Sequence, residues 1–276
     1  MKSFILSTLV LPCFFCSSAY SQLSDSLNLR QLYEQETIYL QGKDYIKGDQ
    51  RTRLKYITIE KEFTFSKEAY PEFLLSAQDH KSAVRSFYLS LGLYIGSILL
   101  LADKKDGALI PFAASMVAYG YGVHYRNKSE REFHHALWSR NRDALLEGSS
   151  DITLLSNRYE NETIHLSKGR YIKGDQKISL RPQTFEKEFA VSEDGLKEYK
   201  LSVQEQQKAR PSAFLGLGLV ISFFVLASHH QSTAAWIALG GAAITIPISN
   251  HHLFKSQNRL RKAIWLRNRD VLITGH

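Results

Sequence analysis

The sequence predicts an α+β membrane protein formed by tandem duplication. Each unit would be a small β-hairpin or meander head on a long two-helix transmembrane hairpin, which gives four spans in total. The first observation is two pairs of apolar runs without acidic or basic residues, at 86–102 with 107–123 and at 211–227 with 233–249. As a helix each run would be about 25 Å long, near the lower limit for crossing a bilayer. The other two observations are an export signal and an internal repeat.

The export signal is a predicted signal peptide over residues 1–21. It has a short basic start and an apolar core, and Ala19 and Ser21 are small residues where a signal peptidase reads the chain. Both cysteines, Cys13 and Cys16, lie within it. Cleavage before Gln22 would leave a mature chain without disulfides, thiol catalysis or cysteine-ligated metals.

The internal repeat is visible in two motifs. Tyr-Ile-Lys-Gly-Asp-Gln occurs at 45–50 and 171–176, and Trp-x-Arg-Asn-Arg-Asp occurs at 138–143 and 265–270. Self-similarity at a fixed period indicates a duplication. The predicted divisions after the signal peptide are a lead-in over 22–32, repeat unit 1 over 33–147, a linker over 148–158 and repeat unit 2 over 159–274.

Each repeat is predicted to open with strands and to continue in long helices. Residues 37–40 and 163–166 alternate like short strands, and the Lys-Gly-Asp-Gln that follows is a turn signal. Ser66 and Ser192 are suited to cap helices, and Pro211 is expected to kink or break the second long helix. After each apolar pair the helix is expected to pack its apolar face on the strands of its own repeat.

Small residues recur at spacing four in the apolar runs, which would let paired helices approach closely in lipid. The predicted helix-packing residues are Gly92, Gly96, Ala114, Ala118, Gly122, Gly218, Ser222, Gly241, Thr245 and Ser249. Two crossings per unit would make the copies parallel repeats, unlike the inverted repeats of many secondary transporters. The runs contain no ionisable residue that could relay protons or conduct a charged substrate.

The formal net charge of +8 indicates anionic lipid headgroups as partners. The headgroup candidates are Arg126, Lys128, Arg259, Arg261 and Lys262. Export argues against nucleic acid as a partner. The signal peptide predicts an inner-membrane protein with its heads in the periplasm, although basic residues flank the outer span ends against the positive-inside rule.

Candidate contact residues for a ligand or protein partner lie in the repeated hexapeptide: Tyr45, Lys47, Asp49, Tyr171, Lys173 and Asp175. The alternative is structural, with Gly48 and Gly174 in turns and the tyrosines packed beneath the head. The Arg-Asn-Arg-Asp runs could bind phosphates of lipids or glycans. Alternatively, they form a charged helix face that pairs with the acidic segments at 60–62 and 186–188.

No cofactor, metal site or catalytic residue is predicted. The ten histidines include adjacent pairs, whose members point to different faces of a helix, and they lack carboxylates or cysteines at ligand spacing. The chain also lacks a supported Ser/His/Asp set, a Walker loop and a dinucleotide glycine pattern.

Residues 190–273 resemble an uncharacterised group of exported bacterial proteins. The shared features are Glu198-Tyr199, Gly216-Leu217-Gly218, Gly240-Gly241, Ile246-Pro247-Ile248-Ser249, Lys262-Ala263-Ile264 and Asn268. That group has a polar head, a glycine-rich apolar hairpin ending in Ile-Pro-x-Ser, and a helix like Lys-Ala-Val-x-x-Tyr-Asn. Arg267 stands where the group often has tyrosine. The resemblance implies export and a hairpin architecture, and it brings no activity.

The sequence therefore predicts a non-enzymatic integral membrane protein of the bacterial cell envelope. Its heads would serve a scaffold or assembly role, through self-association or an envelope protein partner. One alternative is an oligomeric pore or small-molecule passage, for which Ser90, Ser97, Ser115, Ser222 and Thr245 offer polar groups. A second alternative is an exported lipid- or ligand-binding enzyme with a pocket lined by Tyr45, Lys47 and Asp49 or their counterparts.

Overall fold

A computed structural model describes a mainly helical chain over residues 28–102, 109–149, 152–167, 170–178, 182–228 and 232–274. Helices account for 80% of these residues. The predicted signal peptide lies outside the described residues, and so do residues 103–108 and 229–231 between the apolar runs.

Four long helices and two small sheets make up most of the structure. The helices are α1 over residues 28–36, α2 Tyr56–Ile59, α3 Ala69–Ala102, α4 Leu109–Glu147, α5 Ile152–Glu162, α6 Pro182–Glu188, α7 Glu193–Ser228 and α8 Ser232–Thr274, with a 3₁₀ turn at Glu60–Glu62. The strands are β1 Ile38–Gln41, β2 Asp44–Lys47, β3 Gln50–Arg53, β4 Ile164–Ser167, β5 Arg170–Lys173 and β6 Gln176–Ile178.

The predicted fold class of an α+β protein with four spans is wrong. Among the described helices one, α8, is long and apolar enough to cross a membrane, in the part that begins at Thr233. The run in α4 is uncharged, but Tyr119 and Tyr121 lower its apolar content, and a lack of charge does not suffice for insertion. The runs in α3 and α7 end at residues whose side chains lie outside the described set. Without paired crossings, the inference of parallel copies no longer follows.

The chain forms two compact units that differ from the sequence repeats. We call Leu54–Ser179 the contiguous unit, and Met1–Arg53 together with Leu180–His276 the composite unit. In the contiguous unit α3 packs along α4, and α4 packs on β4. In the composite unit α7 packs along α8, and α8 packs on β1. The expectation that each helix packs on the strands of its own repeat is therefore wrong: the repeats exchange their sheets.

Each sheet is an antiparallel three-stranded meander, in the order β1-β2-β3 or β4-β5-β6. The repeated hexapeptide forms the hairpin between the second and third strands, since Lys47 pairs with Gln50 across a two-residue loop. Gly48 and Gly174, the first loop residues, have φ angles of +55° and +54°. This left-handed conformation favours glycine, and the predicted turn is confirmed.

Serine side chains cap the two long helices that open the hairpins. Ser66 Oγ accepts a hydrogen bond from the amide of Ala69 at 3.0 Å, and Ser192 Oγ accepts one from the amide of Gly195 at 3.0 Å. Both predicted caps are confirmed. The helix α7 continues through Pro211, so the proline does not break it.

Aromatic side chains form the core at the polar end of each hairpin. In the contiguous unit the rings of Phe63 and Phe73 stack at 4.5 Å, and Phe133 lies 6.0 Å from Phe63. In the composite unit Phe189 stacks on Tyr199 at 4.8 Å. In the contiguous unit Phe133 lies on the returning helix α4, and so the cluster joins the two helices of that hairpin.

The predicted helix-packing residues divide into two groups. A Cβ on Gly122 would lie 2.9 Å from the Phe87 ring, and one on Gly241 would lie 2.9 Å from Leu219 Cδ1. Ala118 and Ser249 are buried and Thr245 is half-buried, whereas Ala114 and Ser222 are exposed. A Cβ on Gly92, Gly96 or Gly218 would meet no described atom within 4 Å. The close approach in α8 also uses three buried alanines that the sequence reading missed: Ala235, Ala238 and Ala242.

Replacing Gly122 with a large side chain should open the α3–α4 hairpin. Because the Cβ position already lies against Phe87, we expect Gly122→Leu to destabilise the protein by about 1–3 kcal/mol. Gly120→Leu is the matched control, since its Cβ would meet no described atom within 4 Å. Thermal unfolding in detergent, followed by circular dichroism, measures both; equal midpoints would contradict the packing.

Candidate functional site

A tryptophan on α8 holds the N-terminal segment in the composite unit. Trp265 Nε1 donates to Thr37 Oγ1 at 2.8 Å, and Tyr33 Oη donates to the Trp265 carbonyl at 3.1 Å. Thr37 Oγ1 in turn donates to the Tyr33 carbonyl at 2.6 Å. The Tyr39 ring lies 4.7 Å from the indole. The Tyr33 hydroxyl and the Trp265 indole N–H both have hydrogen-bond partners. This pair of rings therefore gives both apolar burial and a fixed orientation.

The contiguous unit has the same arrangement at the corresponding positions. Trp138 Nε1 donates to Thr163 Oγ1 at 2.8 Å, and Tyr159 Oη donates to the Trp138 carbonyl at 3.0 Å. Burial raises the pKa of the Tyr159 phenol well above its ordinary value, so the group stays protonated as a donor. His165 replaces Tyr39 and stacks on the indole at 4.2 Å.

The first arginine of each Arg-Asn-Arg-Asp run is buried. Arg140, with 1% of its side chain exposed, donates to the Glu62 carbonyl at 3.0 Å and to Glu62 Oε2 at 2.9 Å. Arg267 makes the same two bonds to Glu188, at 3.2 and 3.3 Å. The predicted pairing with the acidic segments is confirmed. The guanidinium groups lie in the core, however, and so they are not positioned to bind phosphate at the surface.

The second arginine of each run joins the hairpin to the helix that precedes the sheet. Arg142 pairs with Glu68 and donates to Glu160 Oε1 on α5 at 3.2 Å. Arg269 donates to Glu34 Oε1 on α1 at 2.9 Å. Each arginine also bonds the aspartate that follows it. The two arginines of a run therefore have different roles. The first bonds the short segment before the hairpin, and the second bonds the helix that precedes the sheet packed on that hairpin.

The two units differ in the side chains beside the tryptophan. In the contiguous unit His135 Nδ1 lies 2.5 Å from Glu72 Oε2, and its ring centroid lies 5.8 Å from that of His165. The buried Nδ1 atom of His165 has no hydrogen-bond partner among the described residues. Burial, with a smaller contribution from His135, lowers the pKa of His165 from 6.5 to about 4.

In the composite unit the same positions hold a lysine–glutamate pair. Lys262 Nζ donates to Glu198 Oε1 at 2.8 Å, and Arg259 Nη1 donates to Glu198 Oε2 at 3.0 Å. Burial alone would raise the pKa of Glu198, but these two donors lower it below its ordinary value. The corresponding position is thus a lysine–glutamate pair in one unit and a histidine–glutamate pair in the other.

An acidic residue pairs with basic groups where the polar part of each hairpin meets the apolar part. Glu205 is buried and lies 2.8 Å from His252 Nδ1 and 3.1 Å from Lys255 Nζ. These two bonds lower the pKa of Glu205 from 4.5 to about 2. Asp79 is the counterpart in the contiguous unit and pairs with Lys128 at 2.9 Å. The carboxylate in the last polar layer before each apolar half is therefore paired within its own unit.

The hexapeptide candidates differ in their burial and in their partners. Tyr45 is buried under the sheet, Lys47 pairs with Glu36 at 3.3 Å, and Asp49 is exposed in the loop. In the second copy Tyr171 and Lys173 are half-buried, whereas Asp175 is exposed. This placement agrees with the structural alternative for the tyrosines.

The predicted headgroup residues are largely paired with carboxylates. Lys128 pairs with Asp79, Arg259 and Lys262 pair with Glu198, and Arg126 bonds Glu130 at 3.1 Å. Arg261 is half-buried and also takes part in an interaction. Within the described ranges no group of three His, Cys, Asp or Glu side chains is placed to hold a metal ion.

Removing one buried guanidinium should be costly. Arg140→Met leaves the Glu62 carbonyl and carboxylate without their donor, and loss of one partner of a buried ion pair costs about 3–5 kcal/mol. Arg126→Met is the control, because Arg126 is 64% exposed in an i,i+4 pair whose loss costs about 0.3–0.5 kcal/mol. Urea unfolding in detergent compares the variants. A similar small loss for both would show that the Arg140 bonds contribute little.

The stability of the contiguous unit should fall in mild acid. Folded His165 resists protonation down to about pH 4, whereas the unfolded chain takes up a proton near the ordinary pKa of 6.5. The stabilisation from neutral His165 is therefore complete above pH 6.5 and is lost as the pH falls towards 4. His165→Phe keeps a ring on Trp138 and should flatten this dependence. Tyr39→Phe, at the corresponding position, should leave it unchanged; unfolding midpoints from pH 4 to 7 test both.

No protein-family model, curated protein or solved structure matches this chain. The resemblance of residues 190–273 to exported bacterial proteins therefore stays a prediction. The function has to be argued from the side chains described above and from the apolar half of α8.

Proposed function

We propose that this chain is a non-enzymatic membrane protein of the bacterial cell envelope with a scaffold or assembly role. The observation that carries the proposal is the apolar half of α8, which is long enough to cross a membrane. Only 22% of its most apolar stretch is buried within the protein. The rest of that surface requires an apolar environment.

The exposed side chains of this helix half are large. Trp236 is 67% exposed, Ile237 is 72% exposed and Ile244 is 65% exposed. Full burial of one such side chain is worth about 1.5–3 kcal/mol. Contiguous exposed apolar surface of this kind is typical of membrane or protein contacts. On the opposite face the small side chains of Ala235, Ala238 and Ala242 are buried, so the large side chains are the ones left for lipid.

The proposed location is the inner membrane, with the polar half of α8 facing the periplasm. The predicted signal peptide over residues 1–21 supports export of the polar segments. The positive-inside rule disfavours this orientation, but long polar segments translocate largely regardless of their charge. Next to the apolar half, Glu205 is bonded to Lys255 and to His252, which reduces the cost of moving its charge.

A scaffold role is supported by the way the repeated polar motifs are used. The Arg-Asn-Arg-Asp runs and the two tryptophans bond to the chain itself, and they join a hairpin to a sheet in each unit. Their side chains hold elements together and have no geometry that aims them at a substrate. The pore alternative gains no support from Ser90, whose Oγ donates to the Ser115 carbonyl at 2.9 Å between the hairpin helices.

Membrane retention tests the proposal directly. We expect the chain to stay with membranes in alkaline carbonate and to be released by detergent. In the double variant Ile237→Lys and Ile244→Lys, each lysine costs about 2.5–3.5 kcal/mol near the centre of a span. The variant should therefore move into the carbonate-soluble fraction.

Gln257→Lys is the control, because Gln257 is exposed in the polar half of the same helix. It should fractionate as the unchanged chain does. Recovery of the unchanged chain in the carbonate-soluble fraction would overturn the membrane assignment.

A further inference from the structure

We infer that residues 28–53, here called the docking segment, are an exchangeable element. The surface of α8 around Trp265 would accept the docking segment of a second copy of this chain as well as its own. The inference names a partner for the assembly role proposed above and rests on that role. Its physical basis is the contact chemistry of the segment and the path of the chain that connects it.

The contact has the composition of a strong protein–protein interface. Tyr33 and Thr37 are buried and bond Trp265, and Glu34 bonds Arg269 at 2.9 Å. Ile38 and Leu40 on β1 are also buried. Tryptophan, tyrosine and arginine are the residues that contribute most to binding energy in interfaces between proteins. The segment is therefore held by side-chain contacts that another copy of it could reproduce.

The docking segment is far in sequence from the hairpin on which it packs. In the contiguous unit the bonded residues Tyr159 and Trp138 are 21 positions apart. In the composite unit Tyr33 and Trp265 are 232 positions apart, and the contiguous unit lies between them in sequence. Before the intervening segments have folded, the longer connection gives the docking segment a lower local concentration at its own hairpin than the short connection gives the second meander. A segment from a second copy then competes far better in the composite unit.

A hinge for the exchange lies at the end of the docking segment. Leu54 and Lys55 connect β3 to α2 and belong to neither element, and the boundary between the units falls before Leu54. A change in the backbone conformation of Leu54 and Lys55 could place the docking segment on another molecule. There it would make the same contacts that it makes within its own chain. Exchange of an identical element through such a hinge is a low-cost route to association.

The side chains beside the tryptophan identify the occupant as the docking segment rather than the second meander. Tyr39 lies on Trp265, within the field of Lys262 and Glu198. The second meander is already held at Trp138 through Thr163 and Tyr159, and so it is not available to α8. The fitting partner is thus residues 28–53 of another copy.

Two damaged full-length chains with different tags test the exchange. Tyr33→Ala damages the docking segment but leaves the α8 surface intact, whereas Trp265→Ala does the reverse. Co-expressed, the two chains can form one intact contact only between molecules. After detergent extraction, we expect the mixed pair to co-purify about tenfold more than either variant paired with itself, since interface tryptophan and tyrosine truncations commonly cost 2 kcal/mol or more.

The corresponding pair in the contiguous unit, Tyr159→Ala with Trp138→Ala, is the matched control. Its short connection should keep the contact within one molecule, so the mixed pair should show no gain over the same-variant pairs. Equal co-purification of the Tyr33→Ala and Trp265→Ala chains in mixed and same-variant pairs would overturn the inference.

A permuted chain tests the same inference without weakening any contact. Residues 25–53 are moved to follow His276, so that the composite unit becomes continuous like the contiguous one, where residues 148–151 make the connection. Two tagged permuted chains should co-purify about tenfold less than two chains of natural order. Equal recovery would overturn the exchange.

Carbonate fractionation of the same samples separates this inference from the proposed function. Chains that remain in the membrane but do not exchange would overturn the inference alone. Release of the natural-order chain by carbonate would overturn the envelope function, whatever the tagged chains do.

Discussion

The need to satisfy a buried guanidinium organises the polar part of each unit. Arg140 and Arg267 lie in the core, where each takes both the carbonyl and the carboxylate of one glutamate. A cation removed from water is tolerated only when its donors are bonded in this way. The glutamate is the last residue of the short helical segment before the long helix. The arginine therefore fixes the place where the hairpin begins, and the serine cap and aromatic core follow from that position.

Local features of the fold could be read from the sequence, because short-range chemistry determines them. The caps at Ser66 and Ser192, the glycine turns at 48 and 174, and the pairing of the arginine runs with acidic segments were all predicted. Each depends on a spacing of a few residues or on charge matching between an acidic and a basic segment. The burial of Arg140 and Arg267 could not be read in this way, since a charged helix face and a buried ion pair share one sequence pattern.

Long-range features escaped the sequence for a different reason. The two copies carry the same Tyr-x-x-x-Thr segment and the same tryptophan, so either sheet satisfies the periodicity of either hairpin. Pattern alone could not tell that Thr37 bonds Trp265 and Thr163 bonds Trp138. In α4 the four-span prediction failed because uncharged residues were counted as lipid-compatible, although Tyr119 and Tyr121 lower the apolar content of that run. Within the candidate site, the replacement of Tyr39 by His165 was visible, but its meaning depended on knowing what each side chain faces.

Because each sheet packs on the hairpin of the other repeat, the two units are completed at different times during synthesis. The contiguous unit is complete once Ser179 has been added, and its contacts span short stretches of chain. Thr37, by contrast, waits for a tryptophan 228 positions downstream. At a ribosomal rate of about 5–20 residues per second, this delay is on the order of 10–45 s. Throughout that interval the first meander lacks the surface of α8 on which it packs, while the contiguous unit is already free to fold.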